Sequence, residues 1–364
     1  MSDRVFGSSS AATGMDGAIA KAVRQSLCHL PGVDDAGASY LVNVLSDISI
    51  LSLIALSSYV LLLSGRVSFG QQAYFGLGAY GSAVGTVLFG WSLPLALVFG
   101  IACGAFCAYF LALITRPLSG LYFAVASLAF AEMLRLALSS WHWQVDRGGG
   151  PVGPAGLEGF RSIRWLYENN VAPEVFLLIC LALLGAVLIG QMLLERRRIG
   201  MSIRMIGYDE VLAAAQGLPV DRLRLFAATL SGGLAAIAGG LYAHRTTYVE
   251  ASLFDPMLGV HALGYALLGG LGTALGPLLG VALDLGLLDA SRLVDGWRMV
   301  IFGGLIAIIL RVRPRGLLDE SLVNSTQRRA RHIVGRLRCL ISPHRDLDAQ
   351  SSRDAIVPGS IRKS

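Results

Sequence analysis

Hydrophobic residues fall in nine long stretches between residues 40 and 311, separated by short polar or glycine-rich connections. A helix of roughly 20 apolar residues crosses the hydrocarbon core of a bilayer, and a soluble core does not need so many of them. The pattern therefore predicts membrane spans at 40–63, 68–89, 92–114, 118–139, 174–194, 223–243, 257–271, 274–291 and 297–311.

Two of these stretches, 257–271 and 274–291, are short and are joined by the glycine-rich residues Gly269-Gly270-Leu271-Gly272 and Gly276-Pro277. Interrupted helices of this kind are typical of segments that line a transport pathway. We predict an all-α, polytopic membrane protein with eight or nine transmembrane helices, some of them short or re-entrant.

Arginine-rich connections predict the orientation, because cytoplasmic loops carry an excess of Lys and Arg. The clearest is the loop 195–222, which contains Arg196-Arg197-Arg198. It should be cytoplasmic, as should Arg313-Pro314-Arg315, while 140–173 should face outside. Counting back places the N-terminal tail outside, although its charges give little drive either way.

The same pattern divides the chain into three parts. Residues 1–38 form a polar N-terminal tail, 39–317 a transmembrane domain that includes the cytoplasmic loop 195–222, and 318–364 a flexible cytoplasmic tail. The C-terminal part mixes Arg, Ser, Asp and His without sustained apolar periodicity, which is typical of disorder.

Composition supports lipid as the surrounding medium. Hydrophobic residues make up 54% of the chain and charged residues 15%, against about 25% charged in soluble domains. The formal net charge is +6, but the arginines lie beside apolar stretches. Positive-inside topology explains that placement better than nucleic-acid binding does, so the expected surroundings include membrane lipid and no nucleic acid.

The sequence offers little support for an enzyme active site or a metal site. A P-loop requires a lysine in GxxxxGK[ST] to reach the phosphates, and the chain's lysines, Lys21 and Lys363, do not lie in such a motif. Gly76–Gly81 matches GxGxxG but lies in an apolar stretch rather than a βαβ unit. The cysteines show no zinc-like spacing. We expect no enzyme, no metal and no cofactor in this chain.

The loop from Arg198 to Leu218 carries the strongest functional pattern. From Tyr208 to Gln216 it predicts a short helix, with acidic residues near its N-terminus and Gly217 at its C-terminal end. Such a helix could dock into a groove on a partner protein, or it could be an amphipathic helix resting on the membrane surface. Both interpretations remain open from the residues alone.

Six runs in this order resemble the LivM-type permeases of the branched-chain amino acid ABC importer family. They are Gly65–Tyr80, Leu121–Glu132, Gly148-Gly149-Gly150 with Gly153, Gly200–Gly217, Leu268–Gly280 and Arg313-Pro314-Arg315-Gly316-Leu317. The resemblance covers about residues 40–317. Family members commonly begin with an additional helix that residues 1–38 do not supply.

The resemblance implies a multi-pass permease of the bacterial inner membrane with several partners. These are a homologous second permease subunit, two cytoplasmic ATPase subunits, which would bind the ATP, and a periplasmic solute-binding protein. It assigns ATPase coupling to the matching positions of the loop, which are Arg204, Gly207, Asp209, Glu210, Ala214 and Gly217.

Candidate residues for the translocation path are Ser68, Gly70, Gln71, Tyr122 and Glu132. Glu132 and Arg135 are three residues apart on one predicted helix, so they can pair. That pair is either a polar lining of the path or a structural pair near the membrane surface.

The predicted function is translocation of branched-chain amino acids, energised by separate ATPases. Urea or short amides are alternative solutes. A secondary transporter, or a membrane assembly protein without its own pathway, are the alternative classes.

Overall fold

The computed structural model describes residues 35–146, 151–285 and 298–312, and most of these residues are helical. Within these ranges the α-helices are α1 (Asp35–Leu63), α2 (Gln71–Val87), α3 (Leu93–Ile114), α4 (Leu121–Ser140), α5 (Trp165–Glu168), α6 (Pro173–Arg196), α7 (Arg198–Tyr208), α8 (Glu210–Ala215), α9 (Val220–Thr246), α10 (Pro256–Gly269), α11 (Gly276–Leu283) and α12 (Arg298–Val312). A two-residue antiparallel pairing also joins Val145–Asp146 to Pro151–Val152.

Six helical segments within the described ranges are long and apolar enough to cross a bilayer. They are Gly37–Leu63, Leu93–Ile114, Leu121–Ser140, Pro173–Arg196, Val220–Thr246 and Ala251–Gly269. The prediction of an all-α, polytopic membrane protein is confirmed. The number of eight or nine crossings stays a prediction, as does the division of the chain into three parts.

Several predicted features lie outside the described residues. They are most of the N-terminal tail 1–38, Gly148–Gly150, residues 286–291 of the span 274–291, the run Arg313–Leu317 and the tail 318–364.

Glycine allows α2, α3 and α9 to pack almost backbone to backbone. A Cβ atom on Gly239 of α9 would overlap the carbonyl oxygen of Phe75 in α2, and one on Gly78 would overlap the carbonyl oxygen of Ala236. Gly104 of α3 faces Gly232 of α9 in the same way. Small residues permit this approach in membranes, where van der Waals packing replaces the hydrophobic effect between helices.

Helix α2 begins inside the bundle rather than at its surface. The side chain of its first residue, Gln71, donates to Ser231 at 3.0 Å, and Ser231 lies near the middle of α9. Residues 64–70, which lead into α2, have no regular secondary structure. The predicted continuous span 68–89 is therefore an irregular stretch followed by a helix of 17 residues, about 25 Å long.

Two backbone amides of the irregular stretch 64–70 donate hydrogen bonds to serine side chains, which hold the stretch in place. The amide of Phe69 donates to Ser127 Oγ at 3.0 Å, and the amide of Gly70 donates to Ser68 Oγ at 3.1 Å. Irregular backbone at membrane depth requires such partners, because lipid offers none. Four of its residues, Ser64, Arg66, Ser68 and Gly70, are buried in protein, whereas Gly65 and Val67 are exposed.

Residues 247–255, which precede α10, form a second interrupted segment that contains one 3₁₀ turn, Ala251–Leu253. Phe254 is buried there against Phe75 and Tyr80 of α2, with ring centroids 5.8 and 6.2 Å apart. Gly259, in the first turn of α10, lies directly against the side chain of Gln72. Two interrupted segments thus meet beside the start of α2.

The connections between helices collect at two ends of the bundle. At one end Gly65 contacts Gly207, and Arg66 Nη2 donates to the carbonyl of Arg116 at 3.2 Å. At the other end, Phe160 and Val249 exchange backbone hydrogen bonds of 2.6 and 3.0 Å. The first end is the one predicted to be cytoplasmic, and the second the one predicted to face outside.

Candidate functional site

The loop predicted to be cytoplasmic contains two helices rather than one. Helix α8 (Glu210–Ala215) lies within the predicted helix 208–216, and α7 (Arg198–Tyr208) precedes it. Asp209 separates them, since its extended backbone ends α7 and its carboxylate accepts from the amide of Leu212 at 3.0 Å. The signal for α7 was present in the sequence, because Gly200, Ile203 and Ile206 recur at helical spacing and are buried.

The end of α8 has the geometry expected from its glycine. Gly217 has a φ of 79°, a left-handed conformation that glycine adopts without strain. Its amide donates to the carbonyl of Ala214 at 2.9 Å, and the amide of Leu218 donates to Ala213 at 3.2 Å. This pair of bonds is a Schellman motif, which closes the last turn of a helix.

An ion pair ties α8 to α9. Both terminal guanidinium nitrogens of Arg224, Nη1 and Nη2, donate to the carboxylate of Glu210, with Nη2 to Oε2 at 2.7 Å. The Arg224 side chain is 11% exposed and that of Glu210 47%, so the contact sits at the edge of the bundle. A bidentate pair fixes direction as well as distance, which orients the short helix.

Arg66 lies close to the Glu210–Arg224 ion pair. It is buried, and its guanidinium lies 4.7 Å from the centre of the Phe123 ring. Burial, together with the nearby Arg224, lowers the pKa of Arg66 to about 10, while Glu210 and Asp221 act in the opposite direction. Arg66 therefore stays cationic at neutral pH and contributes a fixed positive charge.

Helix α7 sits close against the ends of its neighbours. A Cβ atom on Gly207 would overlap the carbonyl oxygen of Leu63, at the end of α1, and one on Gly200 would overlap that of Leu194 in α6. The two glycines lie seven residues apart, two turns of the helix. They set the distance between α7 and the membrane-spanning helices.

Arg204 lies at the centre of a polar cluster formed by four segments. Its Nη2 is 3.5 Å from Glu195 Oε2 of α6 and donates to the hydroxyl of Tyr59 in α1 at 3.4 Å. The same nitrogen donates to the carbonyls of Leu271 and Gly272 at 3.4 and 3.3 Å. The Tyr59 hydroxyl donates to Glu195 Oε1 at 2.7 Å. Nothing in the sequence pattern pairs Tyr59 with Glu195.

The outer surface of α7 and α8 carries large apolar side chains. Tyr208 is 77% exposed, Val211 78% and Leu212 55%. Of the three alanines predicted to form a small face, Ala213 is buried, whereas Ala214 and Ala215 are exposed. The exposed surface is thus held in one orientation by the Asp209 cap, the Glu210 pair and the Gly217 turn.

The predicted path residues separate into two groups on different sides of α4. Ser68, Gly70 and Gln71 are buried in the bundle beside Ser127. Both ends of the Gln71 amide are hydrogen-bonded, because its nitrogen donates to Ser231 at 3.0 Å and its oxygen accepts from Ser57 at 3.0 Å.

Tyr122 and Glu132 lie on the outer side of α4, with Tyr122 77% exposed. Glu132 accepts from Arg135 Nε at 2.8 Å, as its spacing predicted, and the two side chains are about one-third exposed. The structure therefore does not bring the five path candidates together.

Gln72 is a buried polar side chain that sequence reasoning missed. It is 1% exposed, and within the described residues neither its amide nitrogen nor its carbonyl oxygen has a hydrogen-bond partner. It faces the first turn of α10 at Gly259. A glutamine inside an apolar span was the available signal.

Metal-binding groups are absent from the part of the chain that the structure describes, where no three His, Cys, Asp or Glu side chains cluster. The described cysteines, Cys103, Cys107 and Cys180, are free thiols in α3 and α6.

A comparison with family models assigns the chain. The model described as the permease component of branched-chain amino acid transport systems matches residues 40–310. The chain belongs to this permease family. Family membership and the apolar helices together identify the chain as a multi-pass protein of the bacterial inner membrane. The LivM-type resemblance carried by the glycine-rich runs is confirmed.

Curated relatives of the permease agree on the family but differ in the solutes they are named for. The permease protein LivM of a high-affinity branched-chain amino acid transport system, from Salmonella typhimurium, is 29% identical over 70% of this chain. The inner membrane ABC transporter permease protein YjfF of Escherichia coli is 29% identical over 80% of this chain and 87% of its own length. The autoinducer 2 import system permease protein LsrC of Enterobacter sp. is 32% identical over 65% of this chain and 67% of its own length.

The chain spans 64% of the length of the LivM relatives. No solved structure matches it significantly.

Proposed function

We propose that this permease is the membrane subunit of an ABC importer that moves branched-chain amino acids across the inner membrane, driven by ATP bound to separate ATPase subunits. The observation that supports it best is the exposed apolar surface of α7 and α8, held rigidly at one end of the bundle. Exposed apolar patches on fixed elements are typical of protein interfaces. A helix that only rests on the membrane surface would not need the Asp209 cap, the Glu210–Arg224 ion pair or the close backbone contacts of Gly200 and Gly207.

The proposal includes three kinds of partner. The complex contains two ATPase subunits, and α7 and α8 are the docking site that this permease offers to them. The coupling residues are Arg204, Gly207, Asp209, Glu210, Ala214 and Gly217. A homologous second permease completes the membrane unit, and a periplasmic binding protein selects and delivers the solute.

The outer face of α4 is the proposed contact with the second permease and the side on which the path lies. An ion pair is costly in lipid, at roughly 2.5–3.5 kcal/mol for each charge, yet Glu132 and Arg135 lie partly exposed within this span. The outward faces of α3 and α6 carry apolar side chains such as Phe106 and Ile189. The outer face of α4 is therefore expected to contact protein or a water-filled path, and the outer face of α3 is expected to contact lipid.

A photo-crosslinking amino acid distinguishes these two faces. Placed at Val125 of α4, which is 58% exposed, it is expected to form an adduct with a second permease chain in native membranes. Placed at Phe106 of α3, which is 71% exposed, it is expected to label lipid. Equal protein adducts at both positions would contradict the assignment of α4.

Uptake by the assembled complex tests the proposed function. Vesicles containing the permease and its partner subunits should accumulate radiolabelled leucine when supplied with ATP and the binding protein. Uptake that continues without ATP but stops when the proton gradient is collapsed would instead identify a secondary transporter. Competition by unlabelled urea or acetamide, rather than by isoleucine and valine, would assign the alternative solutes.

The Glu210–Arg224 pair is predicted to be required for ATPase docking. Glu210→Arg should reduce co-purification of the ATPase subunits, because it leaves two cations facing one another at the start of α8. Adding Arg224→Glu should restore it, since the reversed pair can form and Arg66 lies close to position 224. Arg222→Ala, an exposed arginine in the same turn, is the control and should change nothing. Failure of the double variant to recover would show that the charges act separately.

A further inference from the structure

The contacts of Arg204 connect the cytoplasmic helices to a part of the membrane domain that they otherwise barely touch. Leu271 and Gly272 form the turn between α10 and α11, and they contribute backbone carbonyls to Arg204. These carbonyls follow the C-terminal end of α10, where the helix dipole favours a cation. Arg204 therefore joins α7 to this end of α10.

Helix α10 extends that connection into the interior. Its other end begins at Pro256, and its first turn lies against Gln72, where the irregular stretch 64–70 gives way to α2. Gly269, Gly276 and Gly280 pack α10 and α11 so closely that a Cβ atom on any of them would overlap the backbone of the facing segment. Because the hairpin is packed this tightly, a displacement at its turn moves α10 as a unit.

Arg204 alone does not determine where its guanidinium points. Glu195 and Tyr59 do so, because the Tyr59 hydroxyl donates to Glu195 and accepts from Arg204, while Glu195 supplies the opposing charge. The side chains of Arg204 and Glu195 are each 20% exposed, so solvent competes weakly. A cavity of about 80 Å³ beside Arg204, Gly207 and Leu271 leaves room for the turn to shift.

From this geometry we infer that Tyr59 and Glu195 are positioning residues for transport, which hold Arg204 on the α10–α11 turn so that movement of α7 reaches the interior. The inference rests on the proposed function, because it requires a partner that moves α7. It adds two residues of the membrane domain to the coupling mechanism. It also names α10 as the element that moves.

The test measures leucine uptake and ATP hydrolysis in the same proteoliposomes containing the full complex. Tyr59→Phe keeps the ring and removes the hydroxyl, and Glu195→Gln keeps the shape and removes the charge. Both should lower the maximal uptake rate about five- to tenfold, the lower end of the usual range for coupling between sites, with ATP hydrolysis and the KM for leucine nearly unchanged. More ATP would then be consumed per leucine transported.

Tyr80→Phe is the matched control, because Tyr80 is equally buried and its hydroxyl has no hydrogen-bond partner within the described residues. It should leave the ATP-to-leucine ratio at the wild-type value. An unchanged ratio in Tyr59→Phe and Glu195→Gln would overturn the inference, as would loss of assembly in Tyr59→Phe, which would assign the cluster to folding. Absence of ATP-dependent uptake by the wild-type complex would instead refute the proposed function.

Discussion

Gly239→Ala is expected to destabilise the permease more than any other single methyl group added to α9. The new Cβ atom would overlap the carbonyl oxygen of Phe75 in α2, so two helices must separate to accept it. Overpacking typically costs about 1–3 kcal/mol and occasionally more, and a backbone clash leaves no side chain to rotate away. Thermal unfolding of the purified protein in detergent should show a markedly lower midpoint.

Gly233→Ala on the same helix is the control for this prediction. A Cβ atom there would meet Ile101 Cγ2 at 3.6 Å and Ala105 Cβ at 3.7 Å, which are ordinary contacts. Because alanine favours a helix over glycine by about 1 kcal/mol, this variant should be as stable as the wild type or slightly more so. Equal midpoints for the two variants would show that α2 and α9 pack less closely than described.

The second large effect is expected at the adjacent residues Gln71 and Gln72, whose replacement should change the stability of the fold in opposite directions. Gln72→Met should raise the stability of the fold by about 1–3 kcal/mol, the usual penalty for a buried polar group without a partner. Gln71→Met should lower it by a similar amount, because Ser57 and Ser231 would lose the amide that they contact. Methionine is close to glutamine in volume, so neither change creates a large cavity.

Unfolding midpoints of the two glutamine variants, measured side by side, decide this prediction. Destabilisation by Gln72→Met would mean that the Gln72 amide has partners in the folded protein. A stabilised Gln72→Met variant that transports more slowly would show that the unpaired amide is retained for function, since natural proteins keep such costs mainly at functional sites.

Periodicity and composition were sufficient for the fold class, because long apolar stretches have few alternatives in lipid. The short helix and its glycine stop were also predictable, since each depends on residues close together in the chain, whereas the role of Asp209 as the cap before the helix was found only in the structure. The Glu132–Arg135 pair belongs to the same group, being three residues apart on one helix.

Features that depend on distant residues were not predictable from the sequence alone. Arg204 is 145 residues from Tyr59 along the chain and 67 from Leu271, so no local pattern links them. The start of α2 at Gln71 was missed because hydropathy does not show at which residue regular helical hydrogen bonding begins. Tyr122 and Gln71 were grouped as path candidates because both lie in matching runs, yet packing places them on different sides of α4.

The composition of α2 has a consequence for how the protein enters the membrane. Two glutamines and four glycines occupy its 17 residues, and polar residues reduce the tendency of a segment to partition from the translocon into lipid. Helix α2 is therefore a poor insertion signal by itself. Its stable placement depends on α1, α3 and α9. Because α9 begins more than 130 residues after α2 ends, α2 remains beside its earlier neighbours until residues 220–246 have been synthesised.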